Sequence, residues 1–197
     1  MELRSRYSEV VSSERQVYLG LGSNIGDRYG YLAEAIRRLE EKGLVIEAVS
    51  SAWETEPVGE ILDQPDILNA AIRVSTHLDP EPLHDLLKSV EAELGRATGM
   101  PRHSPRVIDV DLLLMGNLEY ESDRLRLPHR ETTSRRFVLA PLLELDPDLA
   151  LPDGTKLAEA MKELEKDPAG AGVGQDIRRA GPVIRNATDA GDATGSR

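Results

Sequence analysis

The chain has no cysteine among its 197 residues. That excludes disulfides, thiolate nucleophiles and cysteine-held zinc, so any metal must be held by oxygen or histidine. No apolar run is long enough to span a bilayer, and the polar N-terminus lacks the hydrophobic stretch of a signal peptide. A cytoplasmic protein with no membrane partner is expected. Positive charge is in deficit: 24 Lys and Arg against 35 Asp and Glu leave a net charge of -11. A general nucleic-acid binder is disfavoured on that ground, because phosphate backbones are held by clustered cations. What remains, 40% hydrophobic and 30% charged, is ordinary for a soluble globular protein with one sizeable core.

Against that deficit, Arg96, Arg102, Arg106, Arg124, Arg126, Arg130, Arg135 and Arg136 are concentrated in one part of the chain. Within the same part, a basic, Pro-containing loop runs into an apolar stretch that carries Asp109 and Asp111. Strand alternation points these two acids one way and Ile108, Val110 and Leu112 the other. Neighbouring carboxylates repel when both are ionised, so the pair calls for a shared proton or a cation between them. Hard oxygen ligands favour Mg²⁺, above all Mg²⁺ carrying a polyphosphate. Arg102 and Arg106, just upstream, can meet phosphate oxygens, and metal, guanidinium and strand end together equip a site for phosphoryl transfer. The plainer account is a solvated edge strand beside a decorated surface.

Taken in order, residues 1–15 mix charge with Ser and read as an N-terminal extension. Residues 16–23 form a strand that runs into Gly22, Ser23 and Asn24; this turn lacks the lysine of a phosphate loop and is read as structural. Asp27 caps a helix with Leu32, Ile36 and Leu39 on one face and Gly43 past its end. A second strand is expected over 45–53, a breaker-rich loop to Pro65, and a third strand over 68–75. Asp79 and Pro80 open a helix whose Leu83, Leu86, Leu87, Val90 and Leu94 are core. The Asp109 strand completes a βαββαβ order, so the fold class is α+β: a ferredoxin-like core with an antiparallel sheet, helices on one face, and the other face free for a site. Residues 119–154 add a C-terminal α/β segment of a short strand and a helix. Residues 16–166 thus form the domain, and 167–197, rich in Gly, Ala, Asp and Thr, a disordered tail.

The motif Arg102-x-x-Pro105-Arg106-x-x-Asp109-Val110-Asp111-Leu112-Leu113 resembles the signature of 6-hydroxymethyl-7,8-dihydropterin pyrophosphokinases. Gly20-Leu21-Gly22-Ser23-Asn24, Thr55-Glu56-Pro57-Val58-Gly59, Asp63-Gln64-Pro65-Asp66, Leu68-Asn69-Ala70-Ala71 and Leu127-Pro128-His129 extend the likeness over ordered blocks. The resemblance implies an ATP-dependent diphosphokinase of folate biosynthesis that uses two Mg²⁺ ions and passes pyrophosphate to a pterin hydroxymethyl group. It implies catalytic roles for Arg96, Arg106, Asp109 and Asp111, the two acids being the metal ligands. It assigns ATP to Glu91, Arg106, Leu112, Arg124, His129 and Arg135, although an exposed helix acid is an equal account of Glu91. The pterin falls to Thr55, Glu56, Pro57, Val58, Ile67, Asn69 and Phe137, with Phe137 stacking on the ring and the Asn69 amide pairing its edge. Departures stand at Glu56, Ile67, Thr98 and His103, where the family often has Pro, an aromatic, Arg and Trp. Residues 96–106 are expected to order over bound nucleotide.

Two alternatives stand beside this reading. A nucleotidyltransferase also pairs a Gly-Ser turn with an Asp-x-Asp, though close together in sequence. A non-catalytic ferredoxin-like binding module needs none of the acids. The expected state is a monomer or weak dimer acting on small molecules.

Overall fold

Alternating apolar residues build the central sheet, seen in a computed structural model that describes residues 13–57, 64–96, 104–166 and 176–183. Its strands are β1 (Arg15–Ser23), β2 (Val45–Val49), β3 (Ser51–Thr55), β4 (Ile67–Thr76), β5 (Asp109–Met115) and, at the far end of the chain, β8 (Ile177–Pro182). They lie in the order β5-β1-β4-β3-β8, antiparallel throughout, with β2 also pairing β4. Between β5 and β8 come a small hairpin, β6 (Tyr120–Glu121) and β7 (Arg126–Leu127), and two helices, α3 (Arg136–Leu145) and α4 (Leu157–Lys166). The expected short strand and single helix of residues 119–154 are therefore a hairpin and α3, with α4 following.

One face of the sheet carries Val17, Leu19, Leu21, Leu68, Ala70, Ile72, Val74, Val110 and Leu112, packed on the stripes of α1 (Arg28–Glu41) and α2 (Pro80–Glu93). The Asp27 carboxylate accepts from the Gly30 N–H at 3.0 Å, and Gly43 ends α1 with a φ of 92°. Asp79 precedes α2 as expected, but makes no capping bond; its carboxylate accepts from Arg15 at 2.7 Å instead. The opposite face is not free along its whole length. Tyr18, Ala71, Leu113 and Leu114 are apolar there, and they bury against Leu139 and Leu142 of α3 and Leu157 of α4.

The strand expected over 45–53 is broken at Ser50. Val49 faces Ile72 while Trp53 faces Asn69, so four steps on the edge match three on β4. Ser50 bridges the break with its N–H to the Ala71 carbonyl and its hydroxyl accepting from the Ala71 N–H, both at 2.9 Å. A second difference lies in the tail. Composition over 167–197 pointed to a chain without structure, yet Ile177–Pro182 pairs with β3, and Val183 is buried in the α1/α2 core. A short apolar pair at an open sheet edge outweighs the polar average of the segment. Residues 167–175 and 184–197, like the first 12, lie outside the described residues.

Candidate active site

On the second face α3 stops short of one end of the sheet and leaves a cleft of about 900 Å³. Two glycines make its floor. Gly22 lies opposite Asp109 on β5 and Asn69 on β4, and Gly20 lies opposite Asp111 and Ala71. A Cβ at Gly20 would stand 3.2 Å from Leu113 Cδ1, so the absent side chains keep the floor low between an acid side and an amide side. Asn24 closes the turn beyond β1. Its N–H reaches the Arg106 carbonyl (3.2 Å), its Oδ1 accepts from the Arg106 N–H (2.8 Å) and its Nδ2 donates to Gln64 (2.7 Å). That supports the structural reading of the Gly-Ser-Asn turn.

The acid side is held by α2 and the two ends of the loop that follows it. Arg106 Nη2 lies 2.7 Å from one Asp109 oxygen and Arg96 pairs with the other. Arg96 also meets Glu91 at 2.5 Å. Glu91 is only 3% exposed, so it is not a solvated helix acid. It accepts from the Val110 N–H and from Lys88 Nζ, each at 2.7 Å, and thereby docks α2 on β5. Lys88 stands 3.7 Å from Asp111. Burial alone would raise the Asp109 carboxyl, but the charges of Arg106, Arg96 and Lys88 outweigh it and hold the group below the ordinary carboxylate value. Asp111 goes the other way. Seclusion at the cleft floor and then the Asp109 charge raise it, against the pull of Lys88, His129 and Arg106. Burial raises Glu91 as well, in spite of the Lys88 pair.

The amide side is quieter. Asn69 Nδ2 donates to the Thr55 hydroxyl at 3.0 Å and to the Ile67 carbonyl at 3.3 Å, which leaves Oδ1 toward Gly22 and the cleft. Ile67, and Phe137 from the first turn of α3, line the same space.

Nine of the expected site residues meet in this one cleft: Arg96, Arg106, Asp109, Asp111, Glu91, His129, Arg135, Ile67 and Asn69, with Phe137 as a tenth. Thr55 does not line it; it is buried behind Asn69. Glu56 and Pro57 lie outside its walls, and Val58 falls outside the described residues, as do residues 97–103 of the expected nucleotide loop. Leu112 faces the α1/α2 core, and with Arg124 it lines a smaller pocket of about 160 Å³ beside Asp111 and His129. Arg124 itself pairs with Glu81 and Asp85. Lys88 and Arg130 were missed, although both line the cleft. The signal for Lys88 was its place three residues before Glu91, one turn away on the same helix face. His84, which falls outside the apolar stripe of α2, is nonetheless half-buried, and burial lowers its imidazole pKa.

Fold and cleft together define a class: an α+β protein whose open sheet face presents an acid pair ringed by cations, the chemistry of a site for polyanions and their counter-cations. The sequence profile of the family described as 7,8-dihydro-6-hydroxymethylpterin-pyrophosphokinase (HPPK) matches residues 18–147. A 2-amino-4-hydroxy-6-hydroxymethyldihydropteridine pyrophosphokinase of Methylorubrum extorquens is 43% identical over 156 residues, which cover 79% of this chain and 96% of that one. Similarity to the mitochondrial folate synthesis bifunctional protein of Arabidopsis thaliana is also 43%, over 70% of this chain but only 24% of the plant protein, so the chain spans about a quarter of that relative. Among solved structures, a Plasmodium falciparum HPPK-DHPS crystallised with pterin and p-hydroxybenzoate superposes with a TM-score of 0.65 at 15% identity, over 87% of this chain and 48% of the other. The chain belongs to the 7,8-dihydro-6-hydroxymethylpterin-pyrophosphokinase family.

Proposed function

We propose that this chain transfers pyrophosphate from ATP to the hydroxymethyl group of 6-hydroxymethyl-7,8-dihydropterin, giving AMP and the pterin diphosphate for folate synthesis. The observation that carries the reading is the row Asp109, Gly22, Asn69 across three neighbouring strands, which sets a phosphate-handling acid pair beside an amide acceptor in one cleft. With β2 and β3 counted as one interrupted strand, the order β5-β1-β4-β3 supports a ferredoxin-like core with a C-terminal α/β addition, to which β8 adds an edge strand beyond the expected boundary at residue 166. Among the described residues no helix is long and apolar enough to cross a membrane, in keeping with a cytoplasmic enzyme of small-molecule substrates.

The donors suit Mg²⁺. Among the described residues there is no group of three or more His, Asp or Glu that forms a closed metal cage. Two carboxylates from one strand face make a partial shell, and Mg²⁺ completes such a shell with water and substrate phosphates. Asp109 and Asp111 would hold two ions, which when bound neutralise the triphosphate and favour ionisation of the attacking hydroxyl.

The chain's own residues do the rest by position and charge. Arg96 and Arg106 are paired with Asp109 now; phosphate oxygens compete for the same guanidinium groups, which then offset charge on the transferred group. His129 and Arg135 line the same cleft and bind the triphosphate, with Arg124 and Leu112 at the side pocket. Asn69 accepts from the pterin amide edge, its orientation fixed by Thr55, and Phe137 covers one ring face. The hydroxymethyl oxygen attacks the β-phosphorus, the bond from that phosphorus to the α,β-bridging oxygen breaks, the hydroxyl proton is lost and AMP departs. AMP formation from ATP and Mg²⁺, with and without the pterin, tests this in wild type and Asp109→Ala. Pterin-dependent AMP that vanishes in the variant is expected. Release of inorganic pyrophosphate would point to nucleotidyl transfer, and no AMP from folded wild type to a binding module.

A further inference from the structure

Outside the family match of residues 18–147 lie α4 and the strand β8, and of these β8 joins the sheet that carries the cleft. Its partner is β3. The register places Arg179 opposite Trp53, and Trp53 opposite Asn69, so a single row of the sheet runs Arg179, Trp53, Asn69, Gly22, Asp109. Two residues along, Ile177 and Ile67 flank Thr55 from its two sides. Thr55 is the residue whose hydroxyl takes the Asn69 Nδ2 at 3.0 Å.

Arg179 fastens this row to α3. Its guanidinium donates to the Ser51 hydroxyl (2.7 and 3.0 Å) and to Glu144 Oε1 (2.9 Å). Glu144 also accepts from the Ser51 N–H (3.1 Å), the Ser51 hydroxyl (2.8 Å) and the Trp53 indole N–H (3.1 Å). Glu144 stands two turns from Phe137 on the same helix. The Asn69 wall, through β3, and the Phe137 wall, through α3, therefore lean on one clamp. On the other face β8 is tied by Arg178 to Glu54, by the Tyr29 hydroxyl to the Ala180 carbonyl (2.7 Å), and by buried Val183.

We propose that β8 is a C-terminal latch that sets the geometry of the pterin end of the cleft, with Arg179 as its positioning residue. Without it β3 is a five-residue edge strand with one side of its backbone unpaired, and such edges fray. Thr55, at its last position, then no longer fixes the Asn69 amide. The acid pair is on β5, four strands from β8 in the sheet order and about 19 Å away at the usual strand spacing. The effect is therefore one-sided, on pterin and not on ATP. This inference rests on the pterin reading of the site.

Initial rates of the full chain, with pterin and ATP varied in turn, test it in wild type, Arg179→Ala and Gly181→Val. Gly181 has a φ of 118° beside the bulge opposite Ala52, where a β-branched residue is strained. Trp53 is the only tryptophan, so its emission reads whether β8 is docked. Expected are a red-shifted emission and a pterin KM raised about five- to tenfold, with the ATP KM and kcat within about twofold of wild type. An undocked β8 with pterin KM unchanged, or with both KM values raised together, would overturn the proposal. So would a β8 that stays docked in both variants with pterin KM unchanged. Wild type without pterin-dependent AMP would instead overturn the reaction proposed above, and that is seen before any variant is compared.

Discussion

The same strands make both faces of the central sheet, yet the two faces bury opposite kinds of chemistry. Toward α1 and α2, β1, β4 and β5 present Val17, Leu19, Leu21, Leu68, Ile72, Val74, Val110 and Leu112. One residue further along, the same strands present Gly20, Gly22, Asn69, Asp109 and Asp111 to the cleft. Each large apolar side chain on the first face contributes about 1.5–3 kcal/mol by leaving water. The second face holds two mutually repelling carboxylates and keeps them only because Arg96, Arg106 and Lys88 stand close. Stability and chemistry are thus divided between alternate residues of one set of strands.

Three substitutions or conditions sharpen that division. Asp111→Asn on the cleft face should lower AMP formation about a thousandfold, equivalent to about 4 kcal/mol of transition-state stabilisation. It should leave the thermal midpoint unchanged or higher, because it removes a repelling charge from Asp109. A midpoint that falls steeply would mean that this face, too, serves stability. Ile72→Ala, fully buried on the opposite face, should cost about 3 kcal/mol in denaturant unfolding. The fraction that remains folded should show wild-type KM values for both substrates, and altered KM values would break the comparison.

The smallest effect is at the sheet edge. Burial alone would raise Glu144, but Ser51, Arg179 and Trp53 hold it below its ordinary 4.5. Arg178, first, and Arg28 lower Glu54 in the same sense, against burial. A carboxylate depressed on folding stabilises fully above its ordinary value and loses that contribution as pH falls through the folded one. Trp53 emission should therefore be flat from about pH 8 down to the ordinary carboxylate value of 4.5 and report loosening of β8 only as pH falls below it. Loosening on the alkaline side would contradict the assignment.

Much of the cleft face was legible beforehand. The i, i+2 spacing of Asp109 and Asp111 made them same-face neighbours once the run is read as a strand, and the family resemblance brought Asn69 and His129, from its motif blocks, and Arg135 and Phe137, from positions downstream, into one site. Less was legible where a residue acts through a partner distant in the chain. Thr55 reads as a pterin contact from its motif but is buried behind Asn69, its hydroxyl accepting from the Asn69 amide across two strands. Glu91 was ambiguous, since a helix acid shows nothing of what docks on it. Only the approach of β5 gives it the Val110 N–H and a buried position.

Local rules acting over a few residues settled the strand faces, the Asp27 cap, the glycine helix ends and the apposition of the two acids. These are governed by backbone periodicity and short-range hydrogen bonds, which the order of residues states directly. Tertiary structure alone decided that α3 covers half of the second face, that Lys88 and Glu91 join the acid pair, and that a strand from the polar tail closes the edge at Trp53. Those outcomes depend on which backbone and side-chain groups remain unpaired after the core has formed, and residues 53 and 179 carry no local sign that each will satisfy the other.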